Sequence, residues 1–125
     1  MEKLKILLVE DNAIAQRMMN MLLTMDGHEI AIADCGLKAL QMATNDKFDV
    51  IFIDIGLPDI TGIEVAKQLV EKLPTIKDKK QPILLALTAN TDEGIKEQCF
   101  AVGMHGFLDK PFTIEKMAAA LTDLL

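Results

Sequence analysis

Short apolar runs alternate with helical periodicity along the whole chain. Positions 4–9 read as a strand interrupted only by Lys5. Residues 13–25 place Ile14, Met18, Met21, Leu22 and Met25 on one helical stripe, expected to face the core. Asp11 or Asn12 can cap that helix, and Gly27 suits its stop. Positions 30–33 form a weaker strand, and 37–43 a short helix with Leu37, Leu40 and Ala43 inward. Positions 50–53 are an almost purely apolar strand. Thr61 and Glu64 have the spacing of a capping box, so a helix begins there and runs to about Lys72. A loop over 74–82 carries Lys77, Lys79 and Lys80, and a strand follows at 83–87. A helix from about Asp92 to Val102 ends at Gly103. A short strand at 106–108 precedes a last helix from Thr113, with Ile114, Met117, Ala118 and Leu121 inward.

Five strand–helix units in a row imply a parallel sheet covered by helices on both faces. The runs at 4–9, 50–53 and 83–87 are apolar on both faces, as central parallel strands are. The weaker runs at 30–33 and 106–108 suit the edges. The expected fold is a flavodoxin-like (βα)5 three-layer α/β sandwich, with a five-stranded parallel sheet of order 2-1-3-4-5.

At 125 residues, half of them hydrophobic, the chain reads as a single domain over 1–125. A net charge of −6 argues against a nucleic-acid surface. Cys35 and Cys99 stand apart, in no metal-binding spacing, and read as reduced cysteines. Met1-Glu2-Lys3 runs straight into a strand, so no signal peptide is expected. No apolar stretch is long enough to span a bilayer, and the expected location is cytoplasmic. His28 and His105 read as surface or loop histidines away from any site.

The chemistry lies where the apolar runs end. Glu10 and Asp11 follow the first strand, Asp54 the third, Thr88 the fourth and Lys110 the fifth. In a parallel sheet all five meet at one edge, near the switch point between strands 1 and 3. Three clustered carboxylates repel and call for a cation. Magnesium takes oxygen ligands and keeps several waters, so one or two carboxylates suffice, with the Gly56 carbonyl as a further ligand. Charge balance agrees: about −3 from the acids, +2 from the ion and +1 from Lys110. Asp54 is then placed to take a phosphoryl group, which exchanges one negative charge for roughly two. Thr88, Lys110 and the amides of Ile55 and Ala89 are the donors expected to absorb it. A cis Lys110–Pro111 bond would turn the chain sharply and aim the lysine across the pocket. Each residue also has a plainer reading: Asp11 as a helix cap, Thr88 as a strand-end threonine, Lys110 as a solvated lysine.

Four segments in order carry a family resemblance: Ile6 to Asn12, Val50 to Pro58 with Gly62, Leu87-Thr88-Ala89, and Phe107 to Phe112. Over nearly its whole length the chain resembles a receiver domain of the two-component response regulators, most like those attached to hybrid histidine kinases. The resemblance implies phosphorylation of Asp54 by a phosphohistidine donor with Mg2+ or Mn2+. Asp11, Asp54 and the Gly56 carbonyl would be metal ligands, with Glu10 helping through water. The partners implied are a histidine kinase or a histidine phosphotransfer domain, with a weak homodimer as a further expectation. Gly56 and Asn90 occupy positions that tune phosphate lifetime in the family.

The resemblance further implies that Thr88 moves onto the phosphoryl group while Phe107 turns inward, changing the face of the fourth helix, fifth strand and fifth helix. Phenylalanine lacks a hydroxyl that prefers water, so its inward state is expected to be populated before phosphorylation; the alternative is a ring that stays in the core throughout. Ala15, Met19 and Leu23 form a second stripe on the first helix, expected to be exposed and to dock the donor. Other readings are a phosphorylation-independent interaction module, an aspartate-based phosphatase and a flavodoxin-like cofactor binder. The phosphatase needs a second acid where Gly56 stands, and Glu10-Asp11-Asn12 would repel a cofactor phosphate. No external substrate is expected, so the chain is not read as an enzyme.

Overall fold

The computed structural model describes residues 3–73, 81–89, 93–109 and 112–124. Lys110, Pro111, Asn90, Asp92 and the lysines of the 74–80 segment lie outside the described residues. Ten elements alternate strictly: β1 (Lys5–Val9), α1 (Ala13–Met25), β2 (Glu29–Ala33), α2 (Gly36–Asn45), β3 (Val50–Asp54), α3 (Gly62–Lys72), β4 (Ile83–Thr88), α4 (Glu93–Ala101), β5 (Gly106–Asp109) and α5 (Ile114–Leu124). All strand pairs are parallel, in the order β2-β1-β3-β4-β5.

Period-two alternation divides each central strand between two cores. Leu7, Val9, Ile51, Ile53, Leu84 and Ala86 pack under α2, α3 and α4. Ile6, Leu8, Val50, Phe52, Leu85 and Leu87 pack under α1 and α5, against Met19, Leu23, Met117 and Leu121. The three layers follow from this division. The helix signals act where the sequence put them. Asn12 Oδ1 accepts from Ala15 N–H (2.9 Å) and Thr61 Oγ1 from Glu64 N–H (3.1 Å). Gly27 (φ +85°) and Gly103 (φ +104°) take the left-handed conformation that ends α1 and α4.

Three expectations are corrected. Met19 and Leu23 are buried, while Ile14, Met18, Met21 and Met25 are exposed. Met19 and Leu23, expected to dock a partner, are core, and of the stripe expected to be core only Leu22 packs against it. Both stripes are apolar at helical spacing, and the rotation is fixed at the helix start. There the Asn12 cap and a hydrogen bond from Gln16 Nε2 to Glu10 O (2.6 Å) turn the Met19–Leu23 side onto the sheet. Leu37 is also exposed, because α2 packs through the small residues Gly36, Ala39 and Ala43. His28 lies in the loop between α1 and β2, as expected, but is buried there, and Leu4 N–H donates to its Nδ1 (3.1 Å). Met19→Ala is expected to cost about 2–5 kcal/mol. Met21→Ala should stay within about 0.5 kcal/mol. Urea midpoints of the two variants check both values.

Candidate functional site

The hydrogen-bonded register builds the site. Val9 pairs with Ile53, so Glu10 comes level with Asp54 at the carboxyl edge. Glu10 N–H donates to Ala33 O (3.0 Å), holding this residue in line beyond β1. Asp11 follows as the chain turns into α1. One carboxylate oxygen from each of Glu10, Asp11 and Asp54 lies within 4.8 Å of the others. Glu10 is fully buried and Asp54 nearly so, while Asp11 is exposed and leaves the cluster open to solvent. Asp11 N–H donates to Glu10 Oε2 (3.1 Å), and Gly56 N–H to Asp54 Oδ1 (3.1 Å). The donor set is all oxygen, without histidine or cysteine, which fits a hard divalent cation.

Thr88 is buried at the end of β4, one residue past Leu87, the partner of Asp54 in the sheet. The Ile55 amide was expected to be free for a phosphoryl oxygen; instead it donates to Leu87 O (3.1 Å), because the β3–β4 ladder runs one residue further than the apolar run. The Gly56 amide does reach the Asp54 carboxylate. Gly56 is exposed, and open space surrounds the position a Cβ would take. Phe107 lies outside the acid cluster. Its ring is half-buried against α4, edge-to-face with Phe100 (5.9 Å between centroids, 72°) and with Lys96 Nζ 4.7 Å from its centroid. A surface cavity of about 390 Å³, lined by Ala31, Gln41, Met42, Asn45, Asp46 and Phe48, opens away from this chemistry.

Two residues without an assigned role in the sequence reading shape the site. Gly62 opens α3 directly beneath Asp54: a Cβ there would stand 2.2 Å from the Asp54 carbonyl oxygen. Its N–H donates to Ile55 O (3.0 Å), which closes the loop. The Asp59 carboxylate accepts from Gly36 N–H (2.8 Å) and Leu37 N–H (2.9 Å), so the β3–α3 loop caps α2 from outside. The only sequence signals were a glycine just after the Thr61 cap and an acid just after Pro58.

The Leu37 and Gly36 amides hold the Asp59 carboxyl down from 3.8 to about 2. The folded value is the depressed one, so this contribution to stability is complete above 3.8 and disappears as pH falls through about 2. Asp59→Asn should therefore be less stable than wild type at neutral pH. The gap should close between about pH 4 and pH 2, as parallel denaturant titrations would show.

Comparison with known proteins adds the family. The model of the response regulator receiver domain matches residues 6–122. A curated relative, hybrid signal transduction histidine kinase C of Dictyostelium discoideum, is 34% identical over 112 residues, covering 86% of this chain and 9% of that protein. Three solved structures are similar over nearly the whole chain. Chemotaxis protein CheY4 of Vibrio cholerae has a TM-score of 0.88 at 33% identity, covering 99% of this chain and 100% of that one. The receiver domain of sensor histidine kinase PA1611 from Pseudomonas aeruginosa, with a magnesium ion in its active site cleft, has a TM-score of 0.84 at 28% identity (98% and 97% covered). The receiver domain of Ssk1 from Saccharomyces cerevisiae, crystallised with the histidine phosphotransfer protein Ypd1, has a TM-score of 0.88 at 27% identity (97% and 88% covered). With its fold, its acid cluster and a match over nearly all of its length, the chain belongs to the response regulator receiver domain family.

Proposed function

We propose that this chain is the phosphoacceptor of a two-component phosphorelay and that Asp54 takes the phosphoryl group. The observation that carries the reading is the meeting of Glu10, Asp11 and Asp54 within 4.8 Å, with Asp54 buried and Thr88 buried at the neighbouring strand end. An Asp54 oxygen attacks the phosphorus of a phosphohistidine; the P–N bond breaks and its electron pair returns to the donor imidazole. Asp11, Asp54 and the Gly56 carbonyl would hold Mg2+, or Mn2+, with Glu10 helping through water. When bound, the ion offsets the charge of the acids and of the incoming phosphoryl oxygens. Gly56 N–H keeps Asp54 oriented for attack. The Thr88 hydroxyl, the Ala89 amide and the Lys110 ammonium take up the new charge. Gly56 and Asn90 are the positions that would tune how fast water hydrolyses the acyl phosphate. The chemistry is confined to the chain's own Asp54, with no external substrate.

The output is a change in the face of α4, β5 and α5. An inward turn of Phe107 would give up its contacts with Phe100 and Lys96, so those contacts set the balance between its positions. The donor is a histidine kinase or a histidine phosphotransfer domain. It must cover the start of α1 to reach Asp54, and the exposed Ile14 and Met18 lie there, within two turns of Asp11. A hybrid kinase in a cytoplasmic relay is the parent that fits this role best. No helix among the described residues is long and apolar enough to cross a membrane.

Beryllofluoride with magnesium tests the reading by NMR. Amide shifts around Asp11, Asp54, Thr88 and Lys110 are expected, extending to Phe107 and α4. Silence in the wild-type spectrum would leave a receiver fold that binds partners without phosphorylation.

A further inference from the structure

The methionines are sorted by exposure in a way that core packing does not require. The chain has eight. Met19, Met104 and Met117 are buried at 0–3% exposure, and Met42 is half-buried. Met18, Met21 and Met25 are 37%, 56% and 69% exposed, and all three lie on the outer stripe of α1. With Ile14 they form a line at spacings of four, three and four residues, about 16 Å long. This line starts beside the acid cluster, and an interface of ordinary size, about 800 Å² per partner, would reach along most of it. Three thioethers open to solvent thus line the surface that the proposed donor must approach.

A thioether is soft enough to fit more than one opposing surface, and it is also a target for two-electron oxidants. The geometry points to Met18, Met21 and Met25 as a peroxide-sensitive modification site that lowers phosphoryl transfer from a protein donor; this rests on the function proposed above. In the step, the sulfur attacks one peroxide oxygen and the O–O bond breaks. The sulfur loses two electrons and becomes a sulfoxide, and the other oxygen leaves as water. The apolar stripe then carries strong hydrogen-bond acceptors, which an apolar partner surface leaves unpaired. Met19, next to Met18 in sequence but facing the sheet, is a built-in control.

The test treats the folded protein with hydrogen peroxide, maps sulfoxides by peptide mass spectrometry, and follows phosphorylation of Asp54 from acetyl phosphate and from phosphorylated Ypd1. Sulfoxide is expected at Met18, Met21 and Met25, with Met19 spared. Transfer from Ypd1 should drop about tenfold, the effect of one unfavourable contact at the interface, while acetyl phosphate, which needs no docking, reacts as before. In M18L/M21L/M25L the ratio of treated to untreated Ypd1 rates should return to one, whatever the starting rate. Oxidation spread evenly over all methionines would overturn the proposal, as would an unchanged Ypd1 rate after selective oxidation. Absence of transfer from both donors before treatment would overturn the function itself and this proposal with it. Transfer from acetyl phosphate but not from Ypd1 before treatment would overturn the docking face and this proposal with it, and leave the phosphoacceptor role of Asp54 standing.

Discussion

Gly62→Ala is expected to destabilise the domain by about 3 kcal/mol, although alanine is the better helix former. At an open helical site the change would gain up to about 1 kcal/mol. Here the new methyl would meet the carbonyl oxygen of Asp54 at 2.2 Å and the Ile55 Cα at 2.9 Å. Both are backbone atoms at the strand end that carries Asp54, the proposed phosphoacceptor, so no rotamer change relieves the overlap. Either α3 shifts away from the sheet or the end of β3 is displaced. The first loosens Val65, Ala66 and Leu69 in the core; the second moves Asp54 out of register with Glu10. Gly56→Ala provides the comparison, since nothing stands within 4 Å of its Cβ position; its stability should change by less than about 1 kcal/mol. Calorimetry of the two variants separates a demand for space from a general demand for glycine in this loop.

Magnesium is expected to raise the melting temperature of the wild type and to leave Asp54→Asn nearly unmoved. An ion that binds only the folded state stabilises it by about 2.7 kcal/mol at a hundredfold excess over Kd. For a domain of this size that is roughly 10 °C. The asparagine keeps an oxygen to accept the Gly56 amide, so the local turn survives, but it supplies no charge to the ion. The same substitution removes one member of a crowded anionic group, so without metal the variant should melt above the wild type. Opposite signs with and without magnesium would mark Asp54 as part of a charge cluster. A variant that simply loses stability in both conditions would contradict that account.

The sheet was legible in the sequence because burial on both faces leaves a distinctive mark. In β1, β3 and β4 nearly every position is apolar, and the acids after the first two runs and Thr88 after the third fall at one edge of a parallel sheet. Helix rotation was harder to read. Periodicity revealed two apolar stripes on α1, but the choice between them depended on the Asn12 cap and the Gln16 bond to Glu10 O. In α2 the side chains against the sheet are Ala39 and Ala43, whose small size hid the packing face and made Leu37 look like core. Asp59 and Gly62 act through the path of the β3–α3 loop, which folds back on α2 and on Asp54. No local pattern encodes that path. The Ile55 amide was misassigned for a related reason: a strand's last hydrogen bond reaches beyond its last apolar residue.

The two histidines, incidental in the sequence, tie down one end of the sheet. Leu4 N–H donates to His28 Nδ1 at the base of β2, and Leu84 N–H donates to His105 Nδ1 (3.0 Å) at the base of β5. Each histidine stands just before an edge strand, a residue or two beyond a left-handed glycine that ends a helix. Each ring presents Nδ1 as the acceptor for its amide. The sheet is thereby pinned near both outer corners of one end, while Glu10, Asp11, Asp54 and Thr88 sit at the other. Like the footings of an arch, these two bonds set the bases of the edge strands, and the parallel ladders carry that alignment to Glu10 and Asp54 at the far end.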